Sequence, residues 1–163
     1  MRLRKLQAKD APLMLQWMHD GRVVRYLRGD FLNKTEDDCI EFIMGAQDET
    51  KSIHLARVDD HDEYVGTVSL KNIQKNAAEL GIVVRACAMG RGYAAFGLRG
   101  VLEYGYSARG IEEVFWCVDP RNQRAMRFYD KLGFTTCGVP DKACGYSDEE
   151  KRTYVWYRTQ RER

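Results

Sequence analysis

The decisive stretch of the chain reads Met89-Gly90-Arg91-Gly92-Tyr93-Ala94, a glycine-rich turn called here the glycine turn, residues 89–94. The apolar residues 77–84 before it predict a strand. An amphipathic helix is predicted after it, with one face formed by Ala94, Leu98, Val101, Leu102 and Gly105. Glycines let backbone N–H groups approach an anion, and a helix start adds unpaired N–H donors and partial positive charge. The unit is typical of a phosphate-binding site, although its two glycines are equally compatible with a plain tight turn.

A second strand, turn and helix follow directly. Residues 113–118 are β-branched and aromatic, which predicts another strand, and Asp119-Pro120 ends it. Asn122 stands where a helix begins and is a suitable N-cap. Gly133 ends that helix, whose apolar face consists of Ala125, Phe128, Tyr129 and Leu132.

The flanking segments add further helices and strands. Asp10 is a candidate cap for a helix that carries Pro12 in its first turn, a short helix is expected over 23–27, and another begins at Thr35. Additional strands are expected over residues 3–6, 53–58, 64–70 and 153–157. The chain as a whole predicts a mixed α/β fold with a central sheet and helices on both faces.

Length and composition restrict the class of protein. The chain has 163 residues, with 26 Lys or Arg against 24 Asp or Glu, a formal charge of +2. That length fits one domain over 1–163, and the charge balance does not favour a nucleic-acid partner. No apolar run is long enough to span a membrane, and no secretory signal is recognisable. The five cysteines form no CxxC pair and the three histidines add no zinc spacing, so a reduced, cytoplasmic protein without a metal is expected.

Two other nucleotide-binding families fit the glycine turn poorly. The absence of a GxxxxGK[ST] motif argues against a P-loop NTPase. The Rossmann pattern matches as a string, since Ala95 stands three residues after Gly92. However, the turn follows three predicted strands, and Asp119 lies too far along the chain and precedes a proline. A dinucleotide site is therefore the weaker interpretation.

In these segments the chain resembles the GNAT superfamily of acetyl-CoA-dependent N-acyltransferases. The glycine turn is similar to the family's pyrophosphate loop, [Q/R]-x-x-G-x-[G/A], and residues 122–134 are similar to its second signature. The span 79–134 resembles the branch of spermidine and ribosomal-protein N-terminal acetyltransferases, and Trp17-x-x-Asp20-x-x-Val23 does so more loosely. Met89 departs from the usual Gln or Arg, so one side-chain donor to the pyrophosphate is missing.

The resemblance implies a mainly antiparallel sheet of about six or seven strands, with an acetyl-CoA-binding core over 76–134 and acceptor-side helices over 1–50. It also implies that acetyl-CoA is the co-substrate and that backbone N–H groups of the glycine turn bind its pyrophosphate. The implied cofactor-binding residues are Ile82, Val83, Val84, Met89, Gly90, Arg91, Gly92, Tyr93, Ala94, Asn122 and Lys131.

Two residues are candidates for catalysis. Tyr129 corresponds to the family's tyrosine near the coenzyme A sulfur, where a phenol of pKa about 10 is a reasonable acid for the departing thiolate. Its helix position also fits a core aromatic. Glu79 corresponds to a glutamate common in the branch and is a candidate base, acting directly or through water. A strand-edge carboxylate paired with a cation is the equal alternative for Glu79.

The predicted reaction is direct attack of a primary amine on acetyl-CoA, with a polyamine or a protein N-terminus favoured as acceptor. One alternative keeps the fold and acetylates an aminosugar nucleotide or an antibiotic amine. Another is a non-catalytic coenzyme A-binding module. Glu36, Asp37 and Asp38 at a helix start either attract a cationic amine or only complement the helix dipole. The oligomeric state is left open, with a homodimer as one option.

Overall fold

The computed structural model describes the chain from Met1 to Glu162. Its strands are β1 Arg2–Lys5, β2 Ile53–Val58, β3 Tyr64–Gln74, β4 Ala77–Val84, β5 Glu113–Val118, β6 Thr136–Cys137 and β7 Val155–Gln160. Its α-helices are α1 Ala11–Met18, α2 Gly21–Val24, α3 Glu36–Gly45, α4 Tyr93–Ala108, α5 Gln123–Lys131 and α6 Asp148–Thr153. Short 3-10 turns lie at Ala8–Asp10 and Ala86–Ala88.

The strands form one sheet in the order β1-β2-β3-β4-β5-β7-β6. Neighbouring strands are antiparallel except β4 and β5, which run parallel and are connected through α4. A parallel pair requires such a crossover, because its strands must start from the same end of the sheet. The predicted mixed, mainly antiparallel sheet of about six or seven strands is confirmed.

The parallel pair separates soon after it begins. Only three residue pairs join β4 to β5, the last being Glu79 with Phe115. Beyond Glu79, β4 continues to Val84 and stays paired with β3, but it has no further partner on β5. The sheet therefore opens between β4 and β5, and Glu79 lies where the opening starts.

Helices cover both faces of the sheet, as predicted. Ile53 and Leu55 of β2 pack on the same side as Leu98 of α4, whereas Ala56 and Val58 pack with α1 and α3 on the other side. Successive side chains of a strand point to opposite faces, so one strand contributes to both cores.

Two N-terminal predictions need correction. Asp10 stands at the N-cap position of α1, as predicted, but its side chain does not cap the helix, because the carboxylate accepts the backbone N–H of Gln7 at 2.9 Å and pairs with Arg4 at 2.7 Å. The short helix runs over Gly21–Val24 instead of 23–27, because the Asp20 side chain accepts the backbone N–H of Arg22 and starts it earlier.

The predicted starts of α3 and α5 are confirmed. Thr35 Oγ1 accepts the backbone N–H of Asp38 at 3.3 Å, and Asn122 Oδ1 accepts that of Ala125 at 3.2 Å. At the C-terminal end, α6 and the two-residue β6 were not predicted, and the last strand is Val155–Gln160 instead of 153–157.

A buried arginine connects three strands and α4. Arg57 of β2 is fully buried, and its guanidinium donates to the carbonyls of Tyr93 and Thr67, both at 3.1 Å, and to that of Val83. Burial lowers the pKa of Arg57 to about 10. A Cβ on Gly97 would lie 2.3 Å from Arg57 Cδ, so glycine is required there. Arg57 thus fixes the end of β4 relative to the start of α4.

Candidate active site

A cavity of about 650 Å³ lies at the opening between β4 and β5 and extends toward α1 and α3. Glu79, Ile82 and Val83 of β4 line it, together with Asn122 and Tyr129 of the α5 segment. Five of the residues predicted from the sequence are therefore brought to one cavity, although 50 positions separate Glu79 from Tyr129.

Glu79 is 6% exposed and is held by three donors. Its Oε1 accepts from Lys71 at 3.2 Å and from the Tyr146 hydroxyl at 2.5 Å, and its Oε2 accepts from Asn72 Nδ2 at 3.3 Å. A carboxylate offers about four acceptor sites, two on each oxygen. One site on Oε2 is therefore free to accept a hydrogen bond from a bound amine or water.

Tyr129 is 8% exposed, and its ring lies within a cluster of aromatic side chains. Its ring centroid is 5.0 Å from that of Trp116 and 5.3 Å from that of Tyr157. Its hydroxyl has no hydrogen-bond partner within residues 1–162, although the residue lines the cavity. Burial raises the pKa of Tyr129, and the Arg57 charge only partly opposes this. The phenol is consequently neutral and available as a donor at physiological pH.

The free edge of β4 supplies backbone groups. Ile82 and Val83 line the cavity, whereas Val84 packs with Val65 and Tyr93 outside it. The Val83 carbonyl is occupied by Arg57. Peptide groups of a strand point alternately to its two edges, so groups beyond Glu79 that point toward β5 have no strand partner there.

The glycine turn has the backbone conformation that its glycines predict. Gly90 and Gly92 have φ values of 75° and 85°, in the left-handed region. A Cβ on Gly90 would meet no atom within 4 Å, and one on Gly92 would meet only Met1 Cε, at 3.8 Å. Gly92 is the N-cap of the 16-residue α4 and provides no side-chain cap. The first N–H groups of α4 are thus available to an anion such as a phosphate group.

Three other predicted cofactor residues differ in their placement. Asn122 lines the cavity and also caps α5. Lys131 is exposed in the last turn of α5 and does not line the cavity. Met89 accepts a hydrogen bond on its sulfur from Arg124 Nη1 at 3.0 Å. Arg124 was not among the site residues predicted from the sequence, although it stands only two residues after Asn122, which was.

Two further groups of the cavity were also missed. Tyr146, from the loop before α6, donates to Glu79, and the guanidinium of Arg28 lies 3.9 Å from its ring centroid. His54 Nδ1 lies 2.7 Å from Ser69 Oγ, and burial lowers the pKa of His54 to about 4. The loop carrying Tyr146 has no periodicity, so no sequence pattern indicated this contact.

The acidic start of α3 divides into two sets. Glu36 and Asp37 are exposed and lie outside the cavity lining, whereas Asp38 and Glu41 line it. Asp38 also accepts the Thr35 backbone N–H at 2.8 Å, which lowers its pKa. Within residues 1–162, neither Asp38 nor Glu41 has a basic side chain within 4.0 Å.

Across Met1 to Glu162, no group of three or more His, Cys, Asp or Glu side chains is placed to hold a metal ion. None of the helices in this part of the chain combines the length and apolar character that a membrane crossing requires.

Comparison with known proteins places these features in a family. A family model described as acetyltransferase (GNAT) domain matches residues 1–135. The uncharacterised N-acetyltransferase p20 of Bacillus licheniformis is 25% identical over 142 residues, covering 84% of this chain and 80% of that protein. The spermidine N(1)-acetyltransferase of Escherichia coli strain K12 is 26% identical over 144 residues, covering 84% and 74%.

A solved structure has the same fold. The spermidine N-acetyltransferase of Vibrio cholerae in complex with CoA and spermine matches with a TM-score of 0.76 and 18% identity. The match covers 96% of this chain and 92% of that one. Because the family model spans most of the chain, this protein belongs to the GNAT acetyltransferase family and is an acetyl-CoA-dependent N-acetyltransferase.

Proposed function

We propose that this enzyme acetylates a primary amine of a polyamine, with residues 1–50 binding the acceptor and residues 76–134 binding acetyl-CoA. The observation that carries the proposal is the pair of unneutralised carboxylates, Asp38 and Glu41, in the same cavity as Glu79. A polyamine attacks through one neutral amine while its other amines, of pKa about 10, stay charged. Those ammonium groups need carboxylates at a distance from the reacting centre.

The other charges of the cavity support a cationic acceptor. Arg28 is paired with Glu150 at 3.0 Å, and Lys71 with Glu79 at 3.2 Å. Lys34 remains as a lining cation against two carboxylates, Asp38 and Glu41, that have no basic side chain within 4.0 Å in the described part of the chain. The relatives named spermidine acetyltransferases support the same class of acceptor.

Glu79 is proposed to orient the attacking amine and to receive its proton, directly or through a water. Lys71, Asn72 and Tyr146 hold the carboxylate in place, and its free acceptor site on Oε2 can take an N–H of the amine. Removing a proton is required because an ammonium group has no lone pair for attack.

Tyr129 and the free edge of β4 are proposed to act on acetyl-CoA. Acetyl-CoA, when bound, supplies an acetyl thioester with a thiolate as the leaving group. Backbone N–H groups of β4 beyond Glu79 orient the acetyl thioester. The Tyr129 hydroxyl donates a hydrogen bond to the sulfur, where negative charge develops. Asn122 is proposed to bind the cofactor beside its role as a cap.

Replacing Glu41 by glutamine is expected to raise the KM for spermidine about two- to fivefold with little change in kcat. Glu41 is exposed and unpaired, and an exposed ion pair contributes about 0.2–1 kcal/mol. Steady-state kinetics with acetyl-CoA and spermidine, scored by thiol release, measures the effect.

Glu36→Gln is the matched control, because Glu36 lies on the same helix but outside the cavity lining, and its KM should stay at the wild-type value. Equal KM changes in both variants would contradict binding by Glu41. Turnover of an aminosugar nucleotide or a peptide N-terminus in preference to spermidine would overturn the polyamine assignment itself.

A further inference from the structure

Arg124 is a cation without a counter-charge beside the glycine turn. It lies in the first turn of α5, and its Nη1 is 3.0 Å from the sulfur of Met89. Within residues 1–162, no carboxylate lies within salt-bridge distance of its guanidinium, in contrast to Arg121, which pairs with Asp119 at 2.6 Å. A thioether is a weak acceptor, and a guanidinium has five N–H donors. Most of the donors of Arg124 are therefore unused by the protein.

The contact with Met89 places this cation at the anion-binding turn. Met89 directly precedes Gly90, where an added Cβ would meet no atom within 4 Å. The Met89 side chain offers no hydrogen-bond donor. The turn thus combines free N–H groups of α4 with a guanidinium supplied by a different helix.

Neighbouring cations are less well placed to bind an anion at the glycine turn. The Arg91 guanidinium lies 6.0 Å from the ring centroid of Tyr93, and no hydrogen bond joins it to Met89. Lys131 lies two turns beyond Arg124 on α5, about 10 Å further along the axis. The backbone of Arg124 is fixed by the Asn122 cap at the start of the helix.

We propose that Arg124 binds the pyrophosphate of coenzyme A at the glycine turn, and that it supplies there the side-chain donor that residue 89 lacks. A guanidinium suits this task because its planar fork of donors matches phosphate oxygens. The proposal concerns cofactor binding and is independent of the acceptor amine.

The test is titration calorimetry of coenzyme A binding without any amine. Arg124→Gln should raise the Kd about tenfold, which corresponds to the loss of one charge-assisted hydrogen bond. Arg127→Gln is the matched control, since Arg127 is exposed on the same helix, and its Kd should stay within about twofold of wild type. Dephospho-coenzyme A, which keeps the pyrophosphate and lacks the 3′-phosphate, should show the same tenfold loss with Arg124→Gln.

A rescue variant separates binding from a general structural effect. Adding Met89→Arg to Arg124→Gln should restore the Kd to within about threefold of wild type, because a cation returns to the turn. An unchanged Kd in Arg124→Gln, or a loss that Met89→Arg does not recover, would overturn the proposal. A loss confined to coenzyme A and absent with dephospho-coenzyme A would also overturn it, because the contact would then be to the 3′-phosphate.

Discussion

Replacing Tyr129 by phenylalanine is expected to lower kcat by about 10²–10⁴-fold while the Kd for acetyl-CoA stays within a few-fold of wild type. The substitution removes the hydroxyl and keeps the ring contacts with Trp116 and Tyr157. That hydroxyl has no partner within residues 1–162, so its loss leaves no protein group unpaired and stability should change little. Stopped-flow or steady-state thiol release with a working acceptor measures the loss.

The raised pKa of Tyr129 places this effect toward the lower end of the range. A thiol has a pKa of about 8.5, so full proton transfer from a buried phenol to a thiolate is uphill. The phenol therefore acts chiefly as a hydrogen-bond donor to the departing sulfur. Because burial raises its pKa, the donor stays protonated, and activity should show no loss from Tyr129 ionisation below about pH 10.

Tyr157→Phe is the matched control. Tyr157 stacks on Trp116 in the same aromatic cluster, but its hydroxyl lies 3.1 Å from Asp130 and the residue does not line the cavity. Its kcat should stay within about threefold of wild type. A Tyr129→Phe enzyme with wild-type kcat, when chemistry limits the rate, would show that Tyr129 is a core aromatic.

Replacing Gly92 by aspartate is expected to weaken coenzyme A binding at least about 100-fold. Two like charges about 4 Å apart near a protein surface repel by about 4 kcal/mol, which is enough for that loss. The residue also has φ of +85°, which disfavours any side chain. Calorimetric titration of the folded variant measures the Kd.

Gly110→Asp separates charge from backbone strain. Gly110 also has a positive φ, +64°, and an added Cβ would meet nothing within 4 Å, but it lies past the C-terminal end of α4. This variant should lose comparable stability and keep its affinity for coenzyme A. Equal affinity losses in both variants would indicate a general folding defect, and no loss in Gly92→Asp would place the phosphates elsewhere.

Local sequence patterns predicted much of the fold. The bounds of β2, β4 and β5 agree with residues 53–58, 77–84 and 113–118 of the prediction, since each is an apolar run bounded by turn residues. The Asp10 cap failed because Arg4 and the backbone of Gln7 compete for its carboxylate. Helix α6 lacks an apolar face, so the only sequence signal for it is the capping box formed by Ser147 and Glu150.

The candidate site was only partly predictable. The GNAT resemblance is confirmed by the family match, and Glu79 and Tyr129 lie in one cavity, although their chemical roles remain predictions. The contacts of Tyr146 with Glu79 and of Arg124 with Met89 join residues 67 and 35 positions apart. Such pairings depend on how the sheet opens and where α5 packs, and no local periodicity encodes them.

The most direct test of the central claim is mass spectrometry of a reaction containing the enzyme, acetyl-CoA and spermidine in EDTA. Thiol release is followed in the same sample, and a reaction without spermidine serves as the blank. The account predicts monoacetylated spermidine in a one-to-one ratio with free coenzyme A, and little thiol release in the blank. Enzyme that binds coenzyme A but yields no acetylated amine from spermidine would contradict it.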